Sequence, residues 1–369
     1  MSSIVRKSYD SLPYPQVVVV GGGFAGLRVI QGLAGKPFKV LLLDELNHHC
    51  FQPLLYQVAT ASLSADSIAH PFRRTVAPLD NVVFRMAKVT AVDPVAQKVV
   101  TDRGSFAYGI LILATGSITN FFGNKQLEDQ AMQLKSISQA LDIRSDYLQD
   151  FEAALYLQDE ASQRRQLNFV IVGGGPTGVE LAGAMAEIRT TVLKHEYREL
   201  DSERMQIHLI DRNGAVLKNF SPRSSERALK YLQQMGVKIK LGARVTGYDG
   251  DRLTFQDGST MDTNTVIWAA GVKGRALPGL EAALDERSGR YRVDAFNQLE
   301  DVPGVYAIGD VALMTTEPNW PEGHPQVAPT AIQQAQNLVR NLVRADRSSW
   351  VHFRYRDRGS MAVIGRGKA

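Results

Sequence analysis

Val17-Val18-Val19-Val20-Gly21-Gly22-Gly23-Phe24-Ala25-Gly26 runs four apolar residues straight into a glycine-rich turn. The chain repeats the pattern as Phe169-Val170-Ile171-Val172-Gly173-Gly174-Gly175-Pro176-Thr177-Gly178, with Gly173 152 residues after Gly21. A short, unbroken apolar run bounded by glycine reads as a strand buried on both faces, as in a parallel sheet. The G-x-G-x-x-G spacing that follows has a physical purpose at each position. The first glycine makes the tight turn, the second lets the backbone approach a pyrophosphate, and the third lets a helix pack close to the strand. The helix N-terminus then faces the phosphate charge. One such motif is a weak signal, but two copies, each leaving a strand and opening a helix, predict two bound dinucleotides. Two dinucleotides on one chain imply electron transfer from one to the other.

Each unit also carries an acid at the end of its next strand. Asp44 closes Phe38–Leu43, 18 residues after Gly26, which is the spacing of an acid on a ribose hydroxyl. Asp211 closes Gln206–Ile210, 33 residues after Gly178, an excess attributed to an extended helix and loop between Glu180 and Arg204. An acid at Asp211 repels a 2′-phosphate and favours NADH over NADPH, although Arg212 beside it tempers that preference.

Further strands are expected at Val82–Arg85, Lys98–Thr101, Ile110–Ala114, Thr265–Ala269 and Val305–Ile308. Helices are expected over Ala25–Leu33, from about Val179, over roughly Thr330–Arg344, and in the polar stretch Asp129–Gln163. Strands alternating with helices predict an α/β chain with two Rossmann-like dinucleotide-binding domains. Gly309-Asp310 closes a buried strand ahead of a helix, which suits a carboxylate reaching a flavin ribityl chain and a helix N-terminus facing the flavin ring. This segment must return to the first domain after the second is complete. The first site is therefore expected to hold FAD, and the inserted domain NADH. The expected boundaries are 1–122 and 291–346 for the FAD-binding domain, 123–165 for a connecting helical segment, 166–290 for the NADH-binding domain, and 347–369 for the start of a membrane-anchoring region.

Bulk properties narrow the class. The chain has 369 residues, 44% apolar, and a formal charge of +4. That mild basic excess lacks the dense runs of a nucleic-acid arm and suits at most an anionic membrane surface. Cys50 is the single cysteine, which excludes an intrachain disulfide and a redox dithiol and points to a reducing compartment. No apolar run approaches the ~20 residues that cross a bilayer. Met1–Pro15 shows no secretory h-region. Seven histidines show no metal-ligand spacing, so no metal site is expected. The adjacent His48 and His49 are expected to line a flavin entrance or the surface, Cys50 to be a small buried residue, and Trp320–Pro325 to form a loop over the cofactor or on the surface.

The run His48-His49-Cys50-Phe51-Gln52-Pro53-Leu54-Leu55-Tyr56-Gln57-Val58-Ala59 resembles a signature of type II NADH:quinone dehydrogenases. So do Ala114-Thr115-Gly116-Ser117, Trp268-Ala269-Ala270-Gly271-Val272, Ala307-Ile308-Gly309-Asp310, Ala331-Ile332-Gln333-Gln334 and the tail Phe353–Ala362. The resemblance spans about residues 15 to 369, in order. It implies a glutathione-reductase-like flavoprotein of the pyridine nucleotide-disulfide oxidoreductase superfamily, with bound FAD, NADH as donor and a membrane quinone as acceptor. Proton pumping is not expected. By this resemblance Gly21, Gly23, Phe24, Ala25, Gly26, Asp44, Gln57, Thr115, Gly116, Gly309 and Asp310 contact FAD. Gly173, Gly175, Pro176, Thr177, Gly178, Glu180, Asp211, Ala270 and Gly271 contact NADH. Glu180 is expected to act near the nicotinamide, and Gln333 and Gln334 at the quinone end of the flavin. The family also implies a homodimer held peripherally on the cytoplasmic face of a bacterial inner membrane, or on the matrix face in mitochondria.

Two departures stand out. Pro329 occupies a position where many members carry a glutamine of the quinone site. The chain also stops at Ala369, short of the amphipathic helices that follow in the family, and reads as C-terminally truncated. Rival readings are an NADH-responsive redox sensor and a soluble NADH diaphorase or ferredoxin-type reductase. Sulfide:quinone and disulfide reductases need more cysteines than this chain has.

Overall fold

The computed structural model describes residues 15–344 and 346–369. These divide into two compact units. One comprises residues 15–50, 69–118 and 273–358; the other comprises 51–68, 119–272 and 359–369.

The first unit is built on a five-stranded parallel sheet. Its strand order is Val305–Ala307, Ile110–Leu113, Gln16–Val20, Lys39–Asp44, Val82–Met86. Val17 stands opposite both Val40 and Ile110, so the glycine-motif strand is central. Its valines alternate between two cores. Val17 and Val19 face helices Phe24–Leu33 and Ala328–Leu342 through Val29, Ile30, Leu33, Ala335 and Leu338. Val18 and Val20 face Tyr291, Val293, Phe353 and Tyr355. Burial on both faces is why this strand reads as continuous valine rather than as an alternating pattern. Lys98–Thr101 is the middle of an antiparallel meander with Val89–Asp93 and Gly104–Ala107.

The second unit repeats the plan. Its parallel sheet orders Met132–Gln133, Thr265–Trp268, Asn168–Val172, Gln206–Asp211, Lys238–Leu241. The Asp129–Gln163 stretch is three helices rather than one periodic run. Lys125–Gln130, Ile137–Ala154 and Glu160–Gln166 are each started by a side-chain cap, from Asn124, Ser136 and Asp159. The glycine-motif helix begins at Pro176, three residues before the expected Val179, because proline at the first turn has no N–H to lose. It runs to Ile188 and continues through a π-turn at Arg189–Leu193 and a last turn at Lys194–Glu196. With the short turn Ser202–Arg204, this accounts for the long interval before Asp211.

Helix Ile137–Ala154 is pinned to the sheet through Thr265. Its Oγ1 lies 2.7 Å from Asp150 Oδ2 and 3.0 Å from Asp146 Oδ2. One hydroxyl proton is shared between two close carboxylates, which leaves them poorly compensated. Burial pushes Asp150 up to about 7.

Several expected boundaries move. Residues 51–68 belong to the second unit, where Leu55, Tyr56, Val58 and Ala59 of helix Leu55–Ala59 are buried as that helix packs on helices Ile137–Ala154 and Pro176–Ile188. Residues 273–290 belong to the first unit. The 347–369 segment is shared: Phe353 and Tyr355 are buried in the first unit, Ala362 and Ile364 in the second. The Trp320–Pro325 loop is anchored in the first unit's interior. His324 is 1% exposed, and its Nε2 lies 2.8 Å from Glu317 Oε2. Cys50 is half-buried rather than buried.

Two candidate dinucleotide cradles

In the first unit Gly21 turns at φ +99° and donates its N–H to Leu43 O at 2.8 Å. A Cβ there would sit 2.3 Å from Ala114 O, and one on Gly26 would sit 1.8 Å from Gly21 O. Only glycine permits these approaches. Above Gly23, by contrast, the space is open. Gly23 is also the N-cap of helix Phe24–Leu33, whose first turn, Phe24-Ala25-Gly26-Leu27, carries no acid. Open space over an uncharged helix N-terminus fits a pyrophosphate.

Asp44 fixes this loop. Its Oδ2 accepts the Gly22 N–H at 2.6 Å and its Oδ1 the Leu46 N–H at 2.8 Å. Burial pushes the Asp44 carboxyl up, and the two amides oppose that shift. Next to it, Glu45 forms a bidentate pair with Arg275 at 2.6 and 2.8 Å. The Arg275 backbone is held in turn by Thr115 Oγ1, which donates to Arg275 O at 2.6 Å, and by Gly116 O, which accepts the Arg275 N–H at 3.0 Å.

Gly309 turns at φ +73° beside two helix N-termini. A Cβ on it would lie 3.2 Å from Ala331 Cβ and 3.6 Å from Ala25 Cβ. Asp310 Oδ2 accepts the Ser117 hydroxyl at 2.6 Å, and Asp310 O accepts Gln326 Nε2 at 3.0 Å. The expected FAD residues Gly21, Gly23, Phe24, Ala25, Gly26, Asp44, Thr115, Gly116, Gly309 and Asp310 therefore lie in one unit. Gln57 lies in the other, with its amide donating to Tyr56 Oη at 3.3 Å.

The structure separates the two glutamines. Gln334 is fully buried, and its Oε1 accepts the Gly309 N–H at 2.7 Å. It holds Gly309, at the end expected to face the flavin. Gln333, one residue earlier, is half-buried and clamps the backbone of Arg356 through two 3.0 Å bonds. Pro329 lies in the first turn of helix Ala328–Leu342, where proline is well tolerated.

The second cradle copies the first. Gly173 turns at φ +120°, and a Cβ on it would lie 2.4 Å from Ala269 O; one on Gly178 would lie 1.9 Å from Gly173 O. The space above Gly175 is open, and Pro176 and Thr177 are exposed at the helix start. Asp211 Oδ2 accepts the Gly174 N–H at 2.5 Å; its Oδ1 accepts the backbone and side-chain N–H groups of Asn213 at 2.6 and 2.7 Å. Ala270-Gly271 follows strand Thr265–Trp268, next to the glycine-motif strand. A Cβ on Gly271 would meet Phe122 Cζ at 3.2 Å, and the Arg212 guanidinium lies 5.3 Å from the Phe122 ring centroid. Glu180, on the glycine helix, is half-buried. Its Oε1 accepts the Val363 N–H at 3.2 Å, and burial pushes its carboxyl up to about 7.

Sequence reading missed several of these partners. Glu45–Arg275, Gln326, Asn213 and Phe122 are set by contacts between distant residues. Only Asn213, two positions after Asp211, carried a local turn signal. Among the described residues, no group of three or more potential ligands could hold a metal ion.

Comparison with known proteins agrees with this geometry. The pyridine nucleotide-disulphide oxidoreductase family matches residues 15–335. A type II NADH:quinone oxidoreductase of Mycobacterium tuberculosis is 35% identical, covering 96% of this chain and 78% of its own. One from Staphylococcus aureus is 26% identical, covering 95% and 87%. Among solved structures, NDH2 from Plasmodium falciparum in complex with NADH superposes with a TM-score of 0.87 at 18% identity, covering 95% of this chain and 88% of that one. The sulfide:quinone oxidoreductase of Aquifex aeolicus gives 0.72 at 18% identity, covering 89% and 76%. These two structures share the fold. With two glycine cradles of matching geometry and this sequence identity, the chain belongs to the pyridine nucleotide-disulphide oxidoreductases and, within them, to the type II NADH:quinone oxidoreductases.

Proposed function

We propose that the chain is an FAD-dependent NADH:quinone oxidoreductase that does not pump protons. The observation that carries this reading is the pair of cradles, one in each unit, each with an acid gripping the middle residue of its Gly-Gly-Gly run, Gly22 or Gly174. FAD, when bound, accepts hydride from NADH and passes two electrons to the quinone.

The chain's own residues bind and orient. The loop at Gly21–Gly26 and its helix N-terminus hold the FAD pyrophosphate, and Asp44 takes the ribose. Gly309-Asp310, set beside two helix N-termini and tied to Ser117, takes the ribityl end. Phe24, Ala25, Thr115 and Gly116 complete the first unit's FAD contacts. In the second unit Gly173, Gly175, Pro176, Thr177 and Gly178 hold NADH by its pyrophosphate, Asp211 takes its ribose, and Ala270-Gly271 borders the nicotinamide end. Glu180 holds a proton near neutrality on the glycine helix and orients the nicotinamide or buffers charge beside it. Gln333 lies toward the acceptor.

Among the described residues no helix is long and apolar enough to cross a membrane. The proposed setting is peripheral, as a homodimer on the cytoplasmic face of a bacterial inner membrane, where a ubiquinone or menaquinone is the acceptor. The test is anaerobic reduction of the visible flavin band by NADH, with NADPH in parallel, followed by a soluble short-chain quinone. Bleaching by NADH and rapid recovery with quinone are expected. A flavin that NADH bleaches but quinone cannot restore would overturn the quinone step.

A further inference from the structure

His49 lies on the short strand His48–Cys50, which pairs antiparallel with Ala69–Pro71 and sets His49 opposite His70. Adjacent side chains on a strand point to opposite sides. His48 accordingly turns to Asn47 Oδ1 at 2.9 Å, whereas His49 Nδ1 lies 3.0 Å from Gly22 O. A carbonyl oxygen only accepts, so Nδ1 carries the proton. The imidazole also meets the Phe24 ring edge-on, with centroids 5.0 Å apart at 82°. From elsewhere in the unit, the Phe72 ring closes on Gly22: a Cβ there would fall 2.1 Å from Phe72 Cζ.

A trans peptide is planar, so the C=O of Gly22 and the N–H of Gly23 point in opposite directions. Fixing one aims the other. The C=O of Gly22 is held by His49. Gly23 is the N-cap of helix Phe24–Leu33, so its N–H is among the unpaired donors of that helix N-terminus, and a Cβ built on Gly23 would meet open space. Glycine offers little resistance to rotation of this peptide, so an external grip on the carbonyl determines its orientation.

We infer that His49 is a positioning residue for FAD: by holding Gly22 O, it aims the Gly23 amide at the pyrophosphate. This rests on the assignment of FAD to the first cradle. The second cradle achieves the same orientation differently, since Gly174 O accepts the Leu217 backbone N–H at 2.7 Å. A side chain therefore sets the FAD loop, and main chain sets the NADH loop.

Three variants of the full chain test this. His49→Asn places an amide nitrogen where Nδ1 stands and keeps the donor. His49→Asp has the same shape but offers only acceptors. His49→Phe keeps a ring against Phe24 and loses the donor. FAD dissociation constants, read from released flavin fluorescence, are expected to rise about tenfold or more for Phe and Asp. Asn is expected to recover most of the loss. NADH affinity of the flavin-free protein serves as the control and is expected to stay constant. Wild-type FAD affinity in His49→Asp, or an equal loss in Asn and Asp, would overturn the inference; that pair suffices if the Phe variant fails to fold. Failure of the wild type to bind FAD would instead count against the proposed function.

Discussion

Gly22 and Gly174 are the same residue in two copies of one loop, and they are held differently. Both donate their N–H to a carboxylate at the end of the next strand, at 2.6 Å to Asp44 and 2.5 Å to Asp211. Their carbonyls go to a histidine side chain in the first unit and a backbone amide in the second. The first loop is further hemmed in by Phe72 and by Gly309 beside Ala25. In the second, the helix start is more exposed, at Pro176 and Thr177, and the Arg212 guanidinium lies over the Phe122 ring nearby. The backbone turn is common to both loops, and they differ in what holds and surrounds it.

The strongest way to break this comparison is to spoil one cradle at a time. Gly26→Ala and Gly178→Ala each push a methyl group onto a backbone carbonyl, at 1.8 and 1.9 Å. Overpacking of about 1–3 kcal/mol, if felt in full by the bound state, corresponds to roughly five- to 150-fold weaker binding at the affected site. Gly26→Ala should purify depleted of flavin. Gly178→Ala should stay yellow yet reduce slowly with NADH. Flavin content and single-turnover reduction separate the two, and a colourless Gly178→Ala protein would contradict independent sites.

A comparable but smaller effect is expected at the acids. Asp44→Asn and Asp211→Asn leave one acceptor oxygen where two stood, so one charge-assisted N–H bond, worth about 1.5–3 kcal/mol, is lost and the other becomes neutral. Titration should show weakened FAD binding in the first variant and weakened NADH binding in the second. Only Asp211→Asn should narrow the preference for NADH over NADPH.

Glu180 sharpens the comparison through pH. Burial raises its carboxyl from 4.5 to about 7, so folding takes up a proton in that interval. The stability this provides is complete below 4.5 and is lost as pH rises through about 7. Glu180→Gln should flatten the pH dependence of denaturant unfolding over that range and remove an inflection near 7 from the rate of flavin reduction. An unchanged slope in both measurements would remove Glu180 from the account.

Arg275→Met tests the smallest term. Its pair with Glu45 is about two-fifths exposed on each side, so about 0.5–1 kcal/mol is expected, seen as a slight fall in thermal midpoint. A loss several times larger would mean that the pair organises the Asp44 end of the FAD cradle.

The sheets, both glycine loops and both acids were legible because their signals are local. An unbroken apolar run, a glycine that must turn at positive φ and an acid at a strand end each act within a few residues. The long polar stretch before the second cradle was read as one helical region, and only the caps at Asn124, Ser136 and Asp159 divide it. Gln333 and Gln334 looked equivalent, but successive helix positions differ by about 100°, so one clamps Arg356 while the other lies buried under Gly309. The signature around Phe51–Ala59 pointed to the family without showing that its helix packs in the second unit.

By itself, the sequence determined that this chain carries two dinucleotide cradles, because the steric demands of G-x-G-x-x-G fall on the backbone that writes them. Tertiary structure decided which groups grip those loops, which carboxylates are buried enough to hold a proton near neutrality, and which glutamine faces inward. Those outcomes depend on partners tens to hundreds of residues away, and on desolvation, which only a completed fold imposes.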